Sequence, residues 1–427
     1  MSRSSSKFKS EPLDLSKWRN VPVILMLAGA ALSGIGLWRD SHEFLYAWLL
    51  GFMFFLSLCL GALFLVLAHH LFDAGWSVPI RRFCEHISTL LFPWMLYLFI
   101  PIFIGAKAIY PWMYEPHPEL DHALQAKQPL FSTPWFYIVA LFCFGVWGLL
   151  SWRLRYWSLR QDETGAALPT FKMRFLSSIG IFLFALTLTL AAVMWMKALQ
   201  HQWFSTMYAV YYFAGSVWMT LATVYLITMI LDRQGVLTEV LHDHQYYFLG
   251  SLIFAFTVFY AYIHFAQYFI IWNANMPEET FWYVVRERGT WFWVGIVIIF
   301  GHFFIPFLGL LRIDVKSVFS IMTPICIWAW CMHFVDLSFN ILPVPHKEGF
   351  PLQWLWLYVG CIAFMGGVLS WRFLKDYAAH PPFPIKDPRL VEAMGHAHPV
   401  PTQISGGELD ETDDLRDAPP QFPGGVR

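Results

Sequence analysis

Charge is scarce in this chain. Asp, Glu, Lys and Arg make up 13% of its 427 residues, against roughly 25% in soluble domains. The formal net charge is −1, which leaves nucleic-acid binding without electrostatic support. No Cys-x-x-Cys or Cys-x-x-Cys-His occurs among the six cysteines, Cys59, Cys84, Cys143, Cys326, Cys331 and Cys361. They offer no iron–sulfur, zinc or c-type haem framework and read as small buried hydrophobes. A nucleotide-binding motif is missing too, and no loop or tail is long enough for a soluble domain of ordinary size. Met1–Asn20 lacks a signal-peptide pattern, which makes the first apolar run a retained helix.

What is present is hydrocarbon: 57% of residues are hydrophobic and 19% aromatic. Ten apolar runs reach the length that a bilayer requires, about 18–25 residues. They are Val21–Trp38, Phe44–Phe72, His86–Ala106, Pro134–Trp152, Phe175–Met196, Met207–Leu231, Tyr246–Trp272, Thr290–Leu311, Val318–Leu342 and Leu352–Trp371. In lipid such runs must be helical, because a helix satisfies its own backbone hydrogen bonds. The expectation is an all-α integral membrane protein of ten spans. Trp112, Tyr114, Trp152, Trp157, Trp272 and Trp282 near span ends fit an interfacial aromatic belt.

Lys and Arg are more than twice as frequent in the loops on one side (Arg81, Arg82, Arg153, Arg155, Lys172, Arg174 and others) as on the other. That bias predicts cytoplasmic N- and C-termini, with the loops around Glu115, Glu119, Asp121 and around Glu278, Glu279 outside. Residues 1–20 are then a cytoplasmic tail and 21–375 the membrane domain. The Pro-, Gly- and acid-rich 376–427 reads as a mostly disordered tail with one helical turn near Pro388–Met394.

Spans 2–5 resemble spans 6–9. Asp73 corresponds to Asp232 and Ser57 to Ser216. Trp135-Phe136 corresponds to Trp291-Phe292, Gly145 to Gly301, and Lys172-x-x-Phe175 to Lys316-x-x-Phe319. Four spans is an even number, so the repeat is parallel: two four-helix bundles flanked by spans 1 and 10.

Ionisable groups inside spans are costly and mark paths for protons, ions or ligands. His69, His70 and Asp73 end the second span. His69 and Asp73 share a helix face, as a proton-loading pair would. Equally, Asp73 fits a helix cap or a partner of Arg81 or Arg82. His264, His302, His333 and Asp336 lie in spans 7, 8 and 9 and could converge inside the second bundle. Thr187 and Thr189 hold the corresponding place in the first bundle. Lys107, Lys197 and Arg153 read as cations reaching for the interface. Haem b would need histidines at matching depth, and His264 with His333 is the fair pair.

The run His69 to Arg82, HHLFDAGWSVPIRR, the ten-span duplicated layout and the short tails together resemble the NrfD/PsrC-like polytopic membrane subunits. The likeness covers roughly Val21 to Lys375 and is nearest the shorter, ActF-like type of alternative complex III. The resemblance implies a cofactor-free subunit, inactive alone, of a bacterial inner-membrane quinol:cytochrome c oxidoreductase. Its partners would be an iron–sulfur subunit, multihaem and monohaem cytochrome c subunits and a paralogous NrfD-like subunit. Those partners would carry the haem and iron–sulfur centres, and quinone or menaquinone would be the substrate. His69, His70, Asp73, His264, His302, His333 and Asp336 would then be proton-path residues. Two other classes fit the polar spans: a secondary transporter, and a passive anchor of a redox complex.

Overall fold

The computed structural model describes residues 18–114, 121–238 and 240–394. Among these there is no strand, and ten helices are long and apolar enough to cross a membrane. Spans 1 to 10 are Asn20–Arg39, Ser41–Phe72, Gly75–Ile109, Thr133–Thr164, Leu168–Gln200, Tyr208–Arg233, Asp243–Ala274, Gly289–Leu310, Phe319–Ile341 and Leu352–Ala378. The chain is an all-α, multi-pass membrane protein. Glu115, Glu119 and the residues beyond 394 lie outside the described residues.

Local chemistry sets the span limits. Asp40 starts span 2 by accepting from the backbone N–H groups of His42 and Glu43, each at 3.0 Å. Proline stands at the first turn of spans 4 and 5, where no N–H is needed. Spans 2, 4 and 7 stop at Asp73, Gly165 and Asn275, all in the left-handed region. Span 3 bends at Phe92, whose backbone is extended just before Pro93. Span 8 carries a π turn over Ile299–Phe304 ahead of Pro306, a distortion that often accompanies a functional position.

Spans 2, 3, 4 and 5 pack in a closed ring, as do spans 6, 7, 8 and 9, while span 1 lies along span 10. Spans 2 and 6 form the seam between the bundles and are the most deeply buried. Elsewhere large apolar side chains such as Ile104, Phe182, Trp293 and Leu308 face outward, as a lipid-facing surface requires. Two faces result: a near face with Asn20 and Ala378, and a far face at the other ends of the spans.

The seam follows the repeat. Tyr212 donates its hydroxyl to Met53 O at 2.8 Å. Gly61 lies so close to Thr220 that a Cβ there would sit 2.1 Å from Thr220 Oγ1 and 2.6 Å from Ser216 O. Met53 and Tyr212, like Gly61 and Thr220, are equivalent under the offset that relates Ser57 to Ser216. The hydroxyl could rotate away; the carbonyl could not. Gly61→Ala is therefore expected to force the spans apart at a cost of about 1–3 kcal/mol, read as lost stability on denaturant unfolding in micelles. Gly34→Ala, where nothing lies within 4 Å, should cost nothing measurable.

The segment after span 10 differs from the expected disordered tail as far as residue 394. It crosses the near face as a strap. Ile385 N donates to Asp162 Oδ1 at 2.9 Å, and Asp387 ion-pairs with Arg81 and Arg389. Gln245 Nε2 donates to Ala393 O at 2.7 Å in the second bundle. One short helix, Leu390–Ala393, falls where a helical turn was expected. Composition hid this because an extended strap needs no apolar periodicity; buried ionic anchors hold it.

Candidate functional site

The near-face motif resolves into separate parts. His69 is buried, with Arg81 Nη1 donating to its Nε2 at 3.2 Å. Its Nδ1 lies 2.5 Å from Ser77 Oγ, whose own proton goes to Ala74 O at 3.1 Å. The network therefore assigns the proton to Nδ1 and makes His69 neutral. His70 is buried at right angles to His69, ring centroids 4.9 Å apart, and neither of its nitrogens has a partner among the described residues.

Asp73 does not pair with His69. The helix ends at Phe72, and Asp73 turns into the left-handed region at φ 53°. Its carboxylate is carried outward to Arg174 and Arg389. The cap-and-arginine reading describes it, with different arginines from those expected. Arg81 and Arg82 instead hold Glu85 at 3.0 and 3.1 Å, and bind Asp387 and Asp162 respectively.

The second bundle does bring its expected residues together. His302, His333 and Asp336 are all buried, with one potential ligand atom from each within 4.8 Å of the others. Three helices add hydroxyl and amide groups. Asp336 Oδ1 accepts from Tyr260 at 2.6 Å and from Tyr211. Asn340 Nδ2 donates to Tyr211 Oη at 3.1 Å and to Asp336 O at 2.8 Å. Tyr208 donates to Asn340 Oδ1 at 3.1 Å. His264 Nδ1 lies 3.4 Å from Tyr260 Oη. Because the Tyr260 proton is committed to Asp336, His264 must be the donor. His264, Tyr260 and Asp336 are thus linked in that order by hydrogen bonds that all donate toward the carboxylate.

Histidine placement is equally specific. His302 stacks between Trp218 at 4.0 Å and Tyr260 at 3.6 Å, and neither of its nitrogens has a partner among the described residues. His333 Nε2 lies 2.8 Å from Ser57 Oγ across the seam, which ties this cluster to the first bundle. Two imidazoles and a carboxylate at this separation suit proton exchange or a shared cation; no zinc- or haem-type residue spacing accompanies them in the sequence.

His264 and Tyr260 also line a cleft of about 680 Å³ between spans 7 and 8. Its walls are mostly aromatic and aliphatic, with Phe265, Phe292, Phe303 and Phe339 among them. Arg286 closes the far-face end, stacked 3.4 Å over Trp282 and donating to Phe339 O and Asn340 O. The cleft thus runs from the lipid-facing surface to His264 and Tyr260, the first two members of that hydrogen-bonded chain.

Among the described residues the first bundle has no counterpart. Its interior is filled by Phe52, Phe99, Phe144, Trp147 and Trp195 in mutual ring contact. Thr187 is buried, accepting from Trp147 Nε1 at 2.8 Å and donating to Leu183 O at 2.7 Å, and Thr189 bonds its own helix at Ala185 O. Lys197 does not reach for the interface: it is buried and donates to Trp203 O at 2.9 Å. Sequence reading missed Tyr211, Tyr260 and Asn340. The usable signals were the spacings Tyr260 to His264 and Asp336 to Asn340, each one helical turn. The chain matches no family model and no curated protein sequence.

Proposed function

We propose that this chain is a proton-handling, quinol-binding membrane subunit of a redox complex of the NrfD/PsrC-like kind. The carrying observation is Asp336, buried and bound by two tyrosine hydroxyls, one of which, that of Tyr260, belongs to the aromatic cleft that His264 also lines. Such a cleft suits a flat, apolar ring with an isoprenoid tail. A quinol hydroxyl beside His264 would pass its proton along His264, Tyr260 and Asp336. Iron–sulfur and haem centres on partner subunits would take the electrons, since this chain's sequence supplies no motif to hold such centres. The Lys/Arg bias supports a cytoplasmic near face, which puts the cleft toward the opposite side of a bacterial inner membrane. His302 and His333 continue the path toward the seam.

Two measurements test this. The full chain, purified gently from its native membrane, is expected to bring haem- and iron–sulfur-bearing subunits with it. A photoreactive quinone analogue should label peptides of spans 7 and 8 and be displaced by quinol. Labelling confined to other spans would remove the cleft from the proposal. Solute uptake by the chain alone in proteoliposomes would favour a transporter instead.

A further inference from the structure

Arg155 is out of balance with its neighbourhood. Both terminal guanidinium nitrogens are buried, and neither has a hydrogen-bond partner among the described residues. The charges it feels are those of Glu85, Arg82, Asp376 and Arg372. Each of these is already matched: Arg82 holds Glu85 and Asp162, and Arg372 holds Asp376 at 2.7 Å. Taken together, the five arginines Arg81, Arg82, Arg174, Arg372 and Arg389 face the five carboxylates of Asp73, Glu85, Asp162, Asp376 and Asp387. Arg155 is left as a positive charge without a counter-charge.

Of the imidazoles around it, His380 already donates its Nδ1–H to Asp376 O at 2.8 Å, while His86 has an N–H to give. His86, on span 3 and within electrostatic reach of Arg155, is fully buried with both ring nitrogens unpartnered among the described residues. Its ring lies 5.7 Å from that of His380 and 5.4 Å from that of Tyr377 at the end of span 10. His380 lies past the end of span 10. Its imidazole is held below its ordinary value by burial first, with the positive charges of Arg155 and Arg82 adding to the effect. An unmatched guanidinium beside an uncommitted imidazole N–H calls for a ligand that brings negative charge and acceptor oxygens.

Depth narrows the choice. Arg155 follows directly on the apolar stretch of span 4 that ends at Trp152. Trp152 and Tyr156 face outward on the same helix, 60% and 46% exposed. Tryptophan and tyrosine so placed sit at the level of lipid headgroups, and basic pockets between spans at that level suit phosphate. We propose that Arg155 and His86, between spans 3, 4 and 10, form a binding site for the phosphate of an anionic phospholipid. Arg153, two residues earlier, does not belong to it; its guanidinium lies over the rings of Trp152, Tyr156 and Trp157.

The test uses the full chain, delipidated in detergent, with thermal unfolding and native mass spectrometry as readouts. Phosphatidylglycerol, diacylglycerol and inorganic phosphate are added separately. Wild type is expected to retain one phosphatidylglycerol and to unfold at higher temperature with it, while diacylglycerol has no such effect. Arg155→Gln should weaken phosphatidylglycerol binding at least tenfold, His86→Gln less, and Arg153→Gln not at all. Should Arg155→Gln fail to fold, the wild-type comparison and Arg155→Lys, which keeps the charge, carry the test. Equal stabilisation by phosphatidylglycerol and diacylglycerol overturns the proposal, as does Arg155→Gln binding within twofold of wild type. Inorganic phosphate matching the lipid at equal concentration overturns the lipid as source and leaves a free-anion site.

Discussion

Asp336→Asn is expected to abolish most quinol-driven proton release while leaving the fold intact. Asparagine keeps the shape of the side chain, and its carbonyl oxygen can still accept from Tyr211 and Tyr260. It cannot take up and release a proton. If Asp336 is the acceptor at the end of the His264–Tyr260 wire, turnover should fall roughly 10²-fold, the low end of what a lost general base costs. The assay is quinol oxidation by the assembled complex in proteoliposomes, with a pH dye on the released side. His333→Ala should slow proton release with less effect on oxidation, because His333 lies beyond Asp336 and against Ser57. Unchanged oxidation and unchanged protons per electron in both variants would leave the chain as a passive anchor.

The second large effect is expected at the strap. Asp387 is buried between Arg81 and Arg389, and Asp387→Ala strips Arg81 of one of its two carboxylates. Breaking a buried ion pair from one side costs about 3–5 kcal/mol. The retained Glu85 contact at 3.0 Å favours the lower figure. An opening equilibrium eased by about 3 kcal/mol is roughly 10²-fold in population, read as faster trypsin cleavage after Lys386. Arg160→Gln, whose pair with Glu163 is solvent-exposed, should change little. The pH dependence has a definite sign. Burial pushes the Asp387 carboxyl up, but the charges of Arg81 and Arg389 outweigh it and hold the group well below the usual range. A depressed folded value contributes stability above the unfolded one, about 3.9, and loses it as pH falls toward the folded value. Protection of the strap should therefore be flat from neutral to mildly acidic pH and fail only in strong acid.

Spans were readable because lipid imposes one rule on every backbone group, and hydropathy reports that rule directly. His333 and Asp336 were readable for the same reason, as ionisable groups three apart in an apolar run. Their partners were not. A chain with 18 tyrosines hides Tyr211 and Tyr260 among residues that belong to the interfacial belt, and only packing of spans 6, 7 and 9 brings them to one carboxylate. His69 and Asp73 misled for a local reason: a four-residue spacing means a shared face only while the helix continues, and here it stops at Phe72. The strap was hidden by prolines that signal irregular backbone whether or not that backbone is anchored.

The seam carries a consequence for the origin of the molecule. Met53 meets Tyr212 and Gly61 meets Thr220, so each half touches the other through the same repeat positions. That is the geometry of an isologous homodimer. A four-span ancestor would have paired with its own copy through this one surface, and fusion of the two genes would have released each copy from identity. The two halves now differ: one fills its interior with aromatic rings, and the other holds two histidines and an aspartate.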